Sequence, residues 1–186
     1  MTVEPPVVSP LAHRAQDLTS LEKTSSGQVL AAEVQDLVQV DLRVNAGLTP
    51  RLTLPLPSRP DTFVAAPSLD VLWLGPDEWL LVAQADTAGS LSADLNETLA
   101  GEHHSLVDVS AARAVVDLTG LGALELLSKG CGLDLHPRSW GPGDCAQTLL
   151  ARVPVILQQR AEATRIFVRP SFGDYLVDWL LDAGVV

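Results

Sequence analysis

The amino-acid sequence predicts an α+β chain in which mixed or antiparallel sheets carry helices on one face, arranged as two small split β-α-β-like halves. Three observations predict it. Val38, Val40, Leu42 and Val44 alternate with polar residues, the period-2 signature of a half-buried strand. Val71–Leu74 and Glu78–Ala83 are apolar runs joined by Gly75-Pro76-Asp77, a strand–turn–strand pattern. Past residue 71 the elements succeed one another as strand, helix, two strands, helix, two strands, helix. That order yields antiparallel or mixed sheets covered by helices.

Each element has a local cause. Residues 1–10, with Pro5, Pro6 and Pro10, read as a flexible lead-in, and a weak helix follows over Leu11–Leu18. Strands are expected at Val29–Val34 and Val38–Val44. Pro50, Pro55, Pro57, Pro60 and Pro67 then exclude a helix or a central strand, so a long connection or boundary falls there. This divides the chain into an N-terminal segment, 1–70, with two strands and the proline-rich connection, and an α+β core, 71–186. Ser90–Ala100 is a helix with Leu91, Leu95 and Leu99 on one face and Gly101 as its stop. Ser105–Val109 and Ala114–Leu118 are strands. Gly120–Lys129 is a helix with Leu124, Leu127 and Cys131 inward, ended by Gly130. Gln147–Leu157 and Arg165–Val168 read as strands. The last helix, Ser171–Ala183, presents Phe172, Tyr175, Leu176, Trp179, Leu180 and Ala183 as a broad apolar stripe. Trp179 lies at its centre, and truncating it to alanine is expected to cost roughly 3–5 kcal/mol. The two halves are too dissimilar in residues to be a repeat.

Composition narrows the function classes. The 186 residues suffice for one ordinary domain or two small packed ones. Apolar residues make up 47% and charged residues 19%, below the usual quarter, which leaves room on the surface for another protein. The net charge is −11, with 12 Lys plus Arg against 23 Asp plus Glu. Such a chain repels phosphate backbones and anionic lipid, so neither nucleic acid nor membrane is an expected partner. Val71–Gly75 and Leu149–Ala151 are far shorter than the roughly 20 apolar residues of a spanning helix. The N-terminus lacks a secretory pattern. Cys131 and Cys145 are the only cysteines, which suits reduced thiols in the cytoplasm better than a disulfide framework.

No constellation carries chemistry convincingly. Asp117-Leu118-Thr119-Gly120-Leu121-Gly122-Ala123-Leu124-Glu125 resembles a dinucleotide turn, but Glu125 replaces the third glycine and would repel a pyrophosphate. The glycines are read as structural. Cys131, Asp134 and His136 could ligate a metal, yet their spacing fits no common zinc pattern and a second ligand pair is missing; Cys145, His103 and His104 do not complete it. The same residues lack a marked base for a Cys–His nucleophile. Asp174, Asp178 and Asp182 form a stripe facing solvent or a partner, and Ser171 is placed to cap the helix for Asp174. Arg138, Arg152, Arg165 and Arg169 are scattered cations with many possible ion-pair partners. Trp73 and Trp79 flank the turn as either core or interface anchors. The chain is therefore assigned no catalytic, cofactor-binding or metal residue.

One segment reads Leu72-Trp73-Leu74-Gly75-Pro76-Asp77-Glu78-Trp79-Leu80-Leu81, and another Val107-Asp108-Val109-Ser110. Lys129-Gly130-Cys131-Gly132-Leu133-Asp134-Leu135-His136-Pro137-Arg138 and Cys145-Ala146-Gln147-Thr148-Leu149-Leu150-Ala151-Arg152 follow, and then Ser171-Phe172-Gly173-Asp174-Tyr175 with Asp178-Trp179-Leu180. These motifs, in this order, resemble the gamma subunit of heterotetrameric sarcosine oxidase. Residues 72–183 are covered well. The first seventy are covered loosely, through Ser9-Pro10-Leu11-Ala12-His13 and Val40-Asp41-Leu42-Arg43. Val44-Asn45 departs from the glycine and acid that the family tends to have, a helical insert is shortened into the proline-rich stretch, and Pro170 stands where a second arginine is expected.

The resemblance implies an enzyme that oxidatively demethylates sarcosine to glycine. The one-carbon unit passes to tetrahydrofolate or leaves as formaldehyde with hydrogen peroxide. It also implies FAD, FMN, NAD and tetrahydrofolate in the larger subunits, zinc in the delta subunit, and alpha, beta and delta subunits as partners. The gamma subunit is similar in fold to part of the folate-binding aminomethyltransferase module and is implied to be inactive alone. Two alternatives remain: a stand-alone folate-dependent one-carbon binder, with Asp108 as its acid, and an assembly scaffold unrelated to amine oxidation.

Overall fold

A computed structural model describes residues 9–52, 54–85 and 91–185; the lead-in read over 1–10 lies largely outside them. Among the described residues, ten strands form two five-stranded sheets, accompanied by four α-helices. The first sheet is formed by β1 (Leu30–Glu33), β7 (Ala114–Thr119), β10 (Thr164–Val168), β9 (Val153–Gln159) and β8 (Cys145–Leu150), in that spatial order. The second is formed by β3 (Phe63–Ala66), β4 (Leu69–Gly75), β5 (Glu78–Gln84), β2 (Leu37–Val44) and β6 (His104–Asp108). Every paired ladder is antiparallel. The α-helices are α1 (Ala15–Thr24), α2 (Leu91–Thr98), α3 (Ala123–Ser128) and α4 (Gly173–Ala183).

Alternation along the strands sorts the apolar residues into three layers. On the outer face of the first sheet, Val116, Leu118, Val155, Leu157, Ile166 and Val168 meet α1, α3 and α4. On the outer face of the second, Val40, Leu42, Val44, Val71, Trp79 and Leu81 meet Leu95 and Leu99 of the α2 segment. Between the sheets, Leu72, Leu74, Leu80 and Val82 meet Val115, Cys145, Ile156 and Phe167. Each sheet thus carries helices on one face and its neighbour on the other, the layered solution for elements with apolar faces to hide. β5 and β6 flank β2 and are joined by α2, a split β-α-β unit. β7 and β9 flank β10 in the same way, joined through α3 and β8. The alternation expected at Val38–Val44 is realised, with all four apolar residues toward α2.

The first seventy residues enter both sheets: β1 pairs with β7, and β2 lies between β5 and β6. The proline-rich stretch holds an unexpected strand, β3, at a sheet edge, where Pro60 and Pro67 outside its ends break no ladder. A 3-10 helix, Ala46–Arg51, precedes it. The single strand expected over Gln147–Leu157 is a hairpin, β8–β9. Its two turn residues, Ala151 (φ 49) and Arg152 (φ 74), are both left-handed, as such a turn requires, although neither is the usual Asn or Gly. Tertiary contacts hold it: the Ala151 N–H donates to the Gly130 carbonyl at 3.0 Å, and the Tyr175 hydroxyl donates to the Ala151 carbonyl at 2.8 Å.

Two helix faces are rotated from expectation. In α3 the buried residues are Ala123, Leu126 and Leu127, while Leu124 and Cys131 are only partly covered. In α4 they are Gly173, Leu176, Val177 and Leu180; Tyr175 is 47% exposed and Trp179 half-buried. The cause is glycine, which adds nothing to a hydrophobic stripe yet admits a neighbour. A Cβ at Gly173 would lie 2.7 Å from Leu11, and one at Gly184 would lie 2.4 Å from Leu21. The N-terminal segment therefore packs onto the glycine side of α4 and turns its aromatic side outward. Trp179 instead covers Gly130, whose Cβ would stand 2.4 Å from the indole. Trp179→Ala should then cost about 1–2 kcal/mol in a denaturant melt, less than a filled core site loses. A loss of 3 kcal/mol or more would restore the tryptophan to the core. Ser171 does not cap α4; it lies within the 3-10 turn Pro170–Phe172, and the helix starts without a side-chain cap.

Candidate functional site

The Gly-x-Gly turn closes on the chain entering β1. Gly120 (φ +101) would place a Cβ 2.3 Å from the Gln28 carbonyl oxygen, and that same oxygen accepts from the Gly122 N–H at 3.0 Å. A carbonyl oxygen occupies the space in which a pyrophosphate would have to be cradled, so the turn does not fit a dinucleotide.

Around Cys131 the candidate ligands are committed elsewhere. The Asp134 carboxylate accepts from the Ser139 hydroxyl at 2.6 Å and the His136 N–H at 3.1 Å, which lowers its pKa. His136 Nδ1 accepts from the Arg138 N–H at 3.2 Å, and Cys131 Sγ lies 3.9 Å from the Thr148 hydroxyl. No group of three potential metal ligands converges among the described residues. Cys145 is buried between the sheets, where desolvation pushes its thiol up to about 12; it is no nucleophile at neutral pH.

The other singled-out residues are equally occupied. Asp108 accepts from the Ser110 hydroxyl at 2.6 Å and N–H at 2.9 Å, and both bonds lower its pKa. Ser110 in turn accepts from the Gln39 N–H at 2.9 Å, so Asp108 fastens the turn after β6 to β2. Trp73 and Trp79 are direct cross-strand partners; Trp79 is buried and donates from Nε1 to the Pro57 carbonyl at 3.0 Å. Two aspartates of the α4 stripe face the N-terminal segment. Arg14 contacts Asp174 at 3.2 Å and Asp178 at 2.5 Å, and His13 contacts Asp174 at 2.8 Å. His13 and Arg14 hold the Asp174 carboxyl below its ordinary range. Asp182 remains exposed.

Charge gathers at one rim of the space between the sheets. On β2 and β5, Arg43 contacts Glu78 at 2.6 Å and Asp41 at 3.8 Å; burial and the Glu78 carboxylate raise the Asp41 pKa. Arg113, just before β7, is partly buried, and its Nη1 is buried without a partner among the described residues. Burial lowers its pKa and Arg169 adds to that, while Asp41 and Glu78 oppose. Sequence reasoning passed over Arg113 and grouped Arg169 with the scattered cations. Arg165, from the same group, makes the expected ion pair, donating to Asp117 at 2.8 and 2.9 Å. Distinguishing these arginines needs the strand register. Outside the rim, an open groove of about 770 Å³ is lined by Arg43, Asn45, Asp77, His103 and His104 among others. There the His104 ring lies between the Glu102 carbonyl and the Asn96 amide oxygen, at 2.9 and 3.1 Å.

The architecture is that of the aminomethyltransferase fold. Aminomethyltransferase T of the glycine cleavage system from Bartonella henselae superposes with a TM-score of 0.65 at 14% identity, over 91% of this chain and 50% of that one. Within that class the assignment is narrower. The family model for the sarcosine oxidase gamma subunit matches residues 39–186. Sarcosine oxidase subunit gamma from Corynebacterium sp. strain U-96 is 37% identical over 183 residues, 94% of this chain and 88% of that protein. Its counterpart from Arthrobacter sp. is 34% identical over the same shares of both chains. A chain of the heterotetrameric sarcosine oxidase from Corynebacterium sp. U-96, in complex with pyrrole 2-carboxylate, superposes with a TM-score of 0.87 at 34% identity, covering 96% of this chain and 94% of that one. The chain belongs to the sarcosine oxidase gamma subunit family.

Proposed function

We propose that this chain is a non-catalytic structural subunit of a heterotetrameric sarcosine oxidase, assembled with alpha, beta and delta subunits. The observation that carries this reading is the near-complete superposition on a chain of the Corynebacterium heterotetramer. The chemistry of the chain agrees. Its Gly-x-Gly turn is filled by the Gln28 carbonyl, its candidate ligands are bonded to neighbours, and its interior thiol is held protonated. Amine oxidation needs an electron acceptor that side chains do not supply. On this reading FAD, FMN, NAD and the tetrahydrofolate site lie in the larger subunits and zinc in the delta subunit. The assembly oxidatively demethylates sarcosine to glycine in the cytoplasm, a compartment that suits two free cysteines.

Purified alone, the chain should be colourless, bind no flavin, and form no peroxide from sarcosine. Co-expressed with the large subunits of its gene cluster, it should co-purify in fixed ratio, and omitting it should lower the yield or thermal stability of the complex. Flavin bound to the isolated chain, or full assembly and activity without it, would overturn the proposal. The folate-binder alternative needs a free acid at position 108. The two bonds from Ser110 leave Asp108 a turn-forming group instead.

A further inference from the structure

One end of the inter-sheet face of the first sheet is left exposed, and the row there is not neutral. Strand register fixes the rows. Val115 pairs with Phe167, Phe167 with Ile156, and Ile156 with Gln147. Three of these side chains are buried against the second sheet, and the fourth, Gln147, donates to the Leu74 carbonyl at 2.9 Å. One row further on, two residues along each strand, the same face presents Arg113, Arg169, Pro154 and Leu149. Arg113 and Arg169 directly precede and follow the paired Ala114 and Val168 on adjacent strands, and Leu149 pairs with Pro154. Arg169 and Pro154 are exposed, and Leu149 is 57% exposed.

Two guanidiniums side by side repel each other, and no carboxylate within the described residues forms an ion pair with either. The acids that attract Arg113, Asp41 and Glu78, are themselves engaged by Arg43. The buried Arg113 Nη1 has no hydrogen-bond partner among the described residues. Between the arginines, Gln147, Thr148, Pro154 and Phe167 lies a recess of about 130 Å³. It admits the end of a carboxylate side chain but is far below the roughly 300 Å³ at which small-molecule and cofactor sites begin. The fork of a guanidinium matches a carboxylate in two parallel hydrogen bonds, and an apolar neighbour completes a protein–protein anchor.

We propose that the row Arg113, Arg169, Pro154 and Leu149 is a docking strip for an acidic segment of a partner subunit, whose Asp or Glu carboxylate bridges the two arginines while its apolar flank covers Leu149. This rests on the subunit reading above. The occupant is a polypeptide because two guanidiniums beside the exposed Pro154 and Leu149 are complementary to an acidic segment with an apolar flank, and because the recess is too small for a cofactor.

The test measures binding of the full chain to the co-purified remaining subunits of its gene cluster. Arg169→Glu and Leu149→Asp, both at exposed positions, should each weaken binding by about 30-fold or more, as loss of a buried charge contact at an interface does. Arg138→Glu, an exposed reversal elsewhere, should stay within about twofold. In the wild-type complex, hydrogen exchange should slow at residues 147–149, 155–156 and 167–169. Wild-type binding with Arg169→Glu indistinguishable from it, or no protection of those segments, would overturn the strip and leave the subunit reading intact. No wild-type binding would take down both. If Arg169→Glu proved misfolded by circular dichroism, Arg169→Gln and the wild-type protection pattern would decide. Protection of the isolated chain by glutarate, with assembly unchanged in Arg169→Glu, would assign the recess to a small acid and overturn the proposal.

Discussion

Phe167→Ala should destabilise the isolated chain by roughly 3–5 kcal/mol, the usual cost of emptying a large aromatic site in a packed core. Phe167 is 1% exposed in the central strand β10, where Ile166 and Val168 point to the helices and Phe167 alone of the three points to the second sheet. It sits among Leu72, Leu80, Val115, Cys145 and Ile156, in the layer through which the sheets hold each other. Domain stabilities are commonly about 5–15 kcal/mol, so one such cavity removes a large share. The denaturant midpoint should fall with little change in slope, since the surface exposed on unfolding stays the same. Phe167→Leu, which keeps most of the volume, should cost less than about 1.5 kcal/mol. A loss below about 1 kcal/mol for the alanine variant would mean that contacts elsewhere hold the sheets together. Phe167 also lies one row inside Arg169, so loosening this layer should weaken subunit binding indirectly. Comparing Phe167→Ala with Arg169→Glu separates the routes, because only the former should move the melt of the isolated chain.

What the sequence revealed follows the range of the forces involved. Strand alternation at Val38–Val44 and the turn at Gly75-Pro76-Asp77 are local, and both were legible; their residues pair as expected in β2 and in β4–β5. β1 and β2 were legible too, but not β3, nor the destinations of β1 and β2 in two different sheets, because pairing partners far along the chain leave no mark in local periodicity. The Ala151-Arg152 turn was hidden because its left-handed backbone is held by Gly130 and Tyr175 and not by turn-favouring residues. The face of α4 was misjudged because Gly173 and Gly184 count for nothing on a hydrophobic scale, yet admit Leu11 and Leu21. The family motifs around Trp73, Asp108, Cys131 and Asp174 were legible as sequence. Their structural roles, in a tryptophan ladder pair, a serine-bonded turn, a loop under Trp179 and a cationic clasp, needed the fold. The arginine row was invisible for the same reason as the sheet order: Arg113 and Arg169 are neighbours only through the β7–β10 register.

Gly120→Ala should cost roughly 2–4 kcal/mol, from a left-handed backbone forced on an L side chain together with a steric conflict, each of order 1–3 kcal/mol. The conflict is with backbone, which cannot rotate away: the added Cβ would stand 2.3 Å from the Gln28 carbonyl oxygen and 3.0 Å from its carbon. Relief requires moving residues 28 and 29 off the turn. That would break the Gly122 N–H to Gln28 bond and lift β1, which pairs from Leu30 to Thr119 onward, from the edge of the first sheet. Gly132→Ala is the matched control, with nothing within 4 Å of its added methyl, and should change stability by less than about 0.5 kcal/mol. Hydrogen exchange should show where the loss falls: in Gly120→Ala, the amides of 30–33 and 116–119 should lose protection ahead of those in β4 and β5. The same variant bears on function. If Gly120 only packs against Gln28, then Gly120→Ala, at a temperature where it remains folded, should bind the other subunits nearly as the wild type does, because β1 lies at the opposite edge of the sheet from β8 and its exposed Leu149. A stable Gly120→Ala that fails to assemble would show that the β1 edge, and not only the arginine row, meets a partner.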